Sequence, residues 1–313
     1  MGKVLTIGEI LVEIVATTKG DGFLDAQPLI GPFPSGAPAI FIDQVGKLDT
    51  PCAIISRVGD DDFGRVNIDR LKADGVDVSA IEIAQGESTG SAFVRYREDG
   101  SRAFVYNIRY SACGTLNTTQ SAKDMIKDCD HLHVMGSAFS APELGTMVIE
   151  AAKAIKQKGG TISFDPNLRP ELLNTPGLKQ SCEFILSITD LFMPSGEEIF
   201  LFENAGNEEE AINHLLARGI KTIVVKRGDQ GASLYENGKR FDAQAFKVEE
   251  KDPTGAGDCF GGAFLSFWLK NTDPQQALDF ANAAGARAVS EIGPMEGTST
   301  LADLERFIAQ KAL

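Results

Sequence analysis

Short apolar, β-branched runs alternate with longer segments of helical period along almost the whole 313-residue chain. The runs at 4–7, 52–58, 132–135, 161–164, 191–193 and 222–225 are apolar on both faces, as strands covered by helices on each side must be. Segments 37–48, 62–73, 142–157, 208–217, 256–269, 274–290 and 301–309 carry helical periodicity. This alternation predicts an α/β fold in which a doubly wound, mostly parallel sheet is flanked by helices. Two stretches fall outside the pattern. One runs from a strand at 10–15 through a Gly- and Pro-rich loop to 34. The other, 91–97 and 102–108 around Glu98-Asp99-Gly100-Ser101, reads as a β-hairpin turned at Asp-Gly. Neither carries a helix. They are expected to form a small β-sheet lid, from about 10–34 and 88–110, on a single domain spanning 1–313.

Charge and cysteine usage narrow the function classes. Acidic residues outnumber basic ones 44 to 30, for a net charge of −14, which argues against nucleic-acid binding through clustered Lys and Arg. An anionic ligand stays open, because a local pocket of backbone amides suffices to hold one. Five cysteines are widely spaced with no CxxC, which points to a reducing, cytoplasmic compartment. No basic-then-apolar segment precedes the first strand and no run of about 18 apolar residues occurs, so neither a signal peptide nor a membrane span is expected.

The strongest local signal is Asp252-Pro253-Thr254-Gly255-Ala256-Gly257-Asp258, leading into a run of small and apolar residues with helical character. Amides at a helix start point outward and carry part of the helix dipole, so Gly255, Ala256 and Gly257 outline an anion pocket. A carboxylate there would repel phosphate. Asp258 makes sense if it faces an acceptor hydroxyl and takes its proton during phosphoryl transfer. An Asp in the first turn of an ordinary helix is the simpler alternative. There is no GxxxxGK[ST], and Phe260 stands where the dinucleotide fingerprint needs a third glycine. His131 and His133 share one side of a strand without a third metal ligand in step, and they read as core residues.

The stretch from Asp252 to Phe264 resembles the second signature of the PfkB, or ribokinase-like, carbohydrate kinases, and further motifs follow in that family's order. Gly8-Glu9-Ile10-Leu11-Val12-Glu13 is similar to its opening motif, with Glu13 in place of the usual Asp. Ser35-Gly36-Ala37-Pro38-Ala39-Ile40 occupies the first signature, with Ile40 where Asn is common. Phe164-Asp165-Pro166-Asn167-Leu168-Arg169 resembles the fructokinase and 2-keto-3-deoxygluconate kinase branch, as does the stretch 106–114. Pro194-Ser195-Gly196-Glu197-Glu198 is similar to P-N-x-x-E, with Ser195 replacing Asn.

The resemblance implies an ATP-dependent sugar kinase with Asp258 as base and Gly255, Ala256 and Gly257 as anion hole. It implies sugar contacts from Glu13, Gly36, Ala37, Arg109, Asp165, Asn167, Arg169 and Asp258. It places nucleotide along Lys226, Gly228 and Gly231, over Gly255 and Gly257, and beside Asn282, Ala283 and Gly285. Mg2+ is organised through water by Glu198, and K+ near Asp252, Thr254 and the loop 292–297. Relatives of this kind often pair through the lid, so a homodimer is also implied. The expected substrate is a six-carbon keto sugar of the tagatose or fructose type, or 2-keto-3-deoxygluconate. Other readings are a catalytically silent sugar- or nucleotide-binding regulator on the same fold, a nucleoside kinase, or an NAD-linked dehydrogenase.

Overall fold

The computed structural model describes residues 2–168 and 175–311. Its large sheet has ten strands. Numbered along the chain, their order is β14 (Lys239–Ala243), β13 (Ala232–Glu236), β12 (Thr222–Lys226), β11 (Leu191–Phe192), β10 (Thr161–Asp165), β9 (His131–Met135), β1 (Val4–Ile7), β4 (Cys52–Gly59) and β5 (Val76–Asp77), with β6 (Ile81–Ala84) also paired to β4. Every pairing from β12 to β6 is parallel. The last two strands join antiparallel, forming a hairpin turned at Asn237 and Gly238, both with positive φ. That turn is the Asn-Gly signal of a two-residue hairpin. The sequence reading passed over this hairpin, and also over helices α3 (Gln120–Asp128) and α5 (Leu178–Leu186).

Strand alternation splits the core. In β1, Val4 belongs to one apolar cluster and Leu5 to the other. The first cluster is roofed by α1 (Ala37–Lys47), α7 (Ala256–Leu269), α8 (Pro274–Val289) and α9 (Leu301–Lys311). The second is covered by α3, α5, α4 (Pro142–Gln157) and α6 (Glu208–Ala217). Helix α7 is buried from Asp258 to Phe267. It approaches α1 so closely that a Cβ on Gly262 would stand 2.6 Å from the Phe41 carbonyl. Among the described residues no helix is long and apolar enough to cross a membrane.

The second sheet is separate, with order β3 (Leu29–Ser35), β2 (Leu11–Ala16), β7 (Gly90–Tyr96) and β8 (Arg102–Asn107). The hairpin read around Asp99-Gly100 is β7–β8. The stretch read as an irregular loop up to Pro34 contains β3. This sheet continues from the carboxyl end of β1 and leads into the start of α1. It therefore stands beside the carboxyl edge of the large sheet. The strand order reverses at β1, the kind of switch point where open α/β sheets bind ligands.

His131 and His133 lie fully inside β9, and they are core residues as expected. His131 hydrogen-bonds Thr161 and Ser163 at 2.8 Å, and His133 meets the same Ser163 hydroxyl at 2.7 Å while stacking on Phe41. Burial pushes the His131 pKa down to about 3, and burial with the neighbouring His131 lowers that of His133 well below its ordinary value. Both histidines bind protons more readily when the chain is unfolded. Their neutral packing therefore stabilises the fold fully above about pH 6.5, and that stability drains away as pH falls toward 3. Each should contribute up to about 1.4 kcal/mol per pH unit in that window. Urea melts between pH 7.5 and 5 check this, and His133→Gln should flatten the slope by about one proton.

Candidate active site

Two strands deliver opposite charges to the carboxyl edge of the sheet. Asp165 ends β10 and Lys226 ends β12, and their side chains form a buried ion pair at 1 % and 8 % exposure. Between them, Ser195 bridges to Lys226, and the Lys226 amide donates to the Pro194 carbonyl at 2.9 Å. Glu198 folds back under this loop. Its Oε2 accepts from the Ser195 amide at 2.7 Å, and its Oε1 accepts from the Leu168 amide at 2.9 Å. Burial, reinforced by the charge of Asp165, pushes the Glu198 pKa up. Burial also raises Asp165 more than Lys226 lowers it. Burial works against the Lys226 ammonium, but Asp165, Glu198 and Asp258 outweigh it and hold its pKa above the ordinary range.

Helix α7 aims its first turn at this cluster. Gly255 is its N-cap at φ 81, a left-handed conformation. A Cβ there would also meet the Pro294 carbonyl at 2.6 Å. The turn releases the amides that follow, which have no acceptor within the helix. A Cβ on Gly257 would stand 3.8 Å from Lys226 Nζ, so the ammonium lies directly against the pocket. Asp258 is 8 % exposed in the same turn, and Asn167 Nδ2 donates to its Oδ1 at 3.2 Å. Asn167 itself holds a positive φ of 40 just after β10. Asp258, Gly255, Ala256, Gly257, Asp165, Asn167, Lys226 and Glu198 thus converge, although they come from four separate parts of the chain. Lys226, expected along the nucleotide, stands against the amide pocket and is paired with Asp165.

The remaining expected residues fall around this centre or away from it. Glu13 is buried in β2 of the small sheet, near enough to Tyr96 to affect its ionisation. Gly36 caps α1, Ala37 opens it, and Ile40 packs against the Gly255 backbone position rather than standing free. Gly228 and Gly231, both with positive φ, shape the turn between β12 and β13. Asn282 of α8 donates to the Ala243 and Gln244 carbonyls at 3.2 and 3.4 Å. Gly285 packs beside the first turn of α7, and Ala283 is wholly inside the core, with no surface to offer a base. Arg109 is exposed beyond β8, its guanidinium 5.8 Å from the Tyr110 ring centre. Arg169 lies outside the described residues. Asp252 is buried, with Oδ1 accepting from the Tyr96 hydroxyl at 2.6 Å and the Thr254 amide at 2.9 Å, and Oδ2 from the Gly293 amide at 3.1 Å. Arg102 Nη1 donates to Thr254 Oγ1 at 3.0 Å. Tyr96 and Arg102 escaped the sequence reading, because no motif marks them and their partners lie 156 and 152 residues away. All five cysteines are buried and unpaired with one another, and burial raises Cys259 beside Asp258 well above the ordinary thiol range.

Known proteins share this architecture over its whole length. The chain is 31% identical to fructokinase-1 of Zea mays over 97% of both chains. It is 29% identical to 2-dehydro-3-deoxygluconokinase of Thermoproteus tenax, covering 98% of this chain and 94% of that one. An E. coli protein described as a candidate ribokinase II, solved in complex with ATP and Mg2+, superposes with a TM-score of 0.94 at 48% identity, covering 99% of this chain and 100% of the other. The model of the pfkB family carbohydrate kinases matches residues 1–301. With a ribokinase-like fold and that match over nearly all its length, the chain belongs to the pfkB family of carbohydrate kinases and is an ATP-dependent phosphotransferase.

Proposed function

We propose that the protein transfers the γ-phosphoryl group of ATP to a primary hydroxyl of a six-carbon keto sugar of the tagatose or fructose type, or of 2-keto-3-deoxygluconate. One observation carries the reading: a carboxylate, Asp258, stands in the same helical turn as an amide pocket that Lys226 backs with positive charge. Asp258 takes the hydroxyl proton, the sugar oxygen bonds to the γ-phosphorus, and the bond to the ADP oxygen breaks. Asn167 holds one Asp258 oxygen and so sets the direction the carboxylate faces. The amides of 255–258 and the Lys226 ammonium stabilise the charge that spreads over the transferred group. The nucleotide lies along the β12–β13 turn at Gly228 and Gly231, beside Asn282 and Gly285. Glu13, Gly36 and Ala37 line the sugar side, beneath a small sheet acting as a lid that keeps water out.

A magnesium ion fits the donors present. Asp165 Oδ1 is buried without a hydrogen-bond partner, and Glu198 lies close enough to feel its charge. Mg2+ needs few carboxylates when phosphates and waters complete its shell. Glu198, through water, would hold it, and it would neutralise phosphate charge during transfer. Asp252 Oδ2 accepts from a single amide and Thr254 Oγ1 from a single guanidinium nitrogen, so each keeps a lone pair that K+ could use. The fructokinase and 2-dehydro-3-deoxygluconokinase names of the relatives support the two substrate classes. Arg109 is the described side chain suited to reading a sugar carboxylate.

ADP release should be measured with Mg-ATP and tagatose, fructose, 2-keto-3-deoxygluconate, ribose, adenosine or no sugar, in Na+ and in K+. Turnover with one keto sugar is the expected result, and loss of 2-keto-3-deoxygluconate turnover in Arg109→Gln would assign that residue to the carboxylate. Sugar and ATP binding with no turnover would favour the silent regulator instead. Asp258→Asn should lower kcat by about 10²- to 10⁴-fold while leaving the ATP Kd within about threefold. Unchanged turnover would remove Asp258 from the role of base.

On the small sheet Leu29 and Val105 are exposed and line one hollow with Phe23 and Phe93. A homodimer joined through this sheet would cover them. Sedimentation should give twice the 33.5 kDa chain mass, and Val105→Glu should return the monomer.

A further inference from the structure

Tyr96 closes β7 and Arg102 opens β8, so both stand at the tip of the small sheet. Both reach the loop from which α7 begins. The Tyr96 hydroxyl shares Asp252 Oδ1 with the Thr254 amide, and Arg102 holds the Thr254 hydroxyl. The Arg102 guanidinium is itself braced over the Phe104 ring at 5.3 Å. Asp252 Oδ2 ties the same loop to Gly293, one residue before the carbonyl that crowds Gly255. Thr254 directly precedes Gly255, the cap that turns the pocket amides outward. Two side chains of the small sheet therefore fix, through Asp252 and Thr254, where the amide pocket stands.

We propose that Tyr96 and Arg102 are positioning residues: seated, the small sheet sets the anion pocket, and displaced, it leaves that pocket unheld. This deepens the kinase reading and rests on it. Donors that stabilise a transferring phosphoryl group act only when correctly placed, and a misplacement of about 1 Å can cost about 100-fold in rate. The arrangement makes transfer conditional on closure over the acceptor, so ATP without sugar meets a loosened pocket.

Tyr96→Phe and Arg102→Met, singly and together, test this beside Arg102→Lys. Each single change should lower kcat by about tenfold or more, with the sugar KM changed by less than about threefold. The double variant should lose less than the product of the two, since both act through one loop. Arg102→Lys should recover part of the rate. Hydrogen exchange supplies a readout that needs no turnover: amides in peptides covering 252–259 should exchange faster in both single variants, while those of β10 keep their protection. Unchanged kcat in active protein overturns the proposal, as does faster exchange throughout the chain, which would mark a purely structural role. A wild-type protein that turns over no sugar in the panel counts against the kinase reading, and exchange at 252–259 then decides the coupling alone.

Discussion

Lys226 and Asp165 meet at the carboxyl edge of the large sheet, where water scarcely reaches either side chain. An isolated ion in such a place is heavily penalised, and removing one partner of a buried pair typically costs about 3–5 kcal/mol. Here the constraint is sharper, because Glu198 and Asp258 add two more acids within range of the same ammonium. By register Asp165 stands level with Val224, two residues short of Lys226, and the long Lys226 side chain spans that offset across the short β11. Glu198 then uses both oxygens on backbone amides, which fixes the segments following β10 and β11. The loops that carry the site are thus ordered by how its charges are buried.

The amide pocket depends on that cluster from the other side. A helix N-terminus attracts anions, but a carboxylate in its first turn weakens the attraction. Lys226 offsets Asp258 while standing against Gly257, so the pocket keeps a favourable field with the carboxylate in place. Packing enforces the geometry. Ile40 and the Pro294 carbonyl leave room only for glycine at 255, and Phe41 does the same at 262. The apolar residue at 40 thereby gains a role that an amide side chain would fill differently: it closes the core under the start of α7.

Much of this was legible in the sequence, and what was not has identifiable causes. Helices α2 (Asp62–Ala73), α4, α6 and α7 begin and end where their periodicity predicts, because each carries its own buried face and terminal signals. The residues around Asp258 were found because glycines and an acid at a helix start are a local pattern. The sequence carries the strand-end position of Lys226 but not which neighbouring strand's acid faces it. The β13–β14 hairpin was overlooked despite its Asn-Gly turn, because its strands interleave polar residues where the recognised strands are continuously apolar. Tyr96 and Arg102 were beyond reach for a different reason: their bonds run from the small sheet to the loop before α7, far away in sequence.

That kind of contact also bears on how an acidic chain can accept a nucleotide triphosphate. With a net charge of −14 the long-range field repels the ligand, so affinity must come from groups placed within a few ångströms of the phosphates. Backbone amides suit this task, because their partial charges act at short range and are fixed by the fold. Their weakness is that they cannot adjust as a flexible side chain does, and a shift of the loop carries all of them away together. Bonds that hold the loop from outside, from Asp252 through Tyr96 and from Thr254 through Arg102, answer that weakness. They do so from the element that would cover the substrate, and so link occupancy of one half of the site to competence of the other.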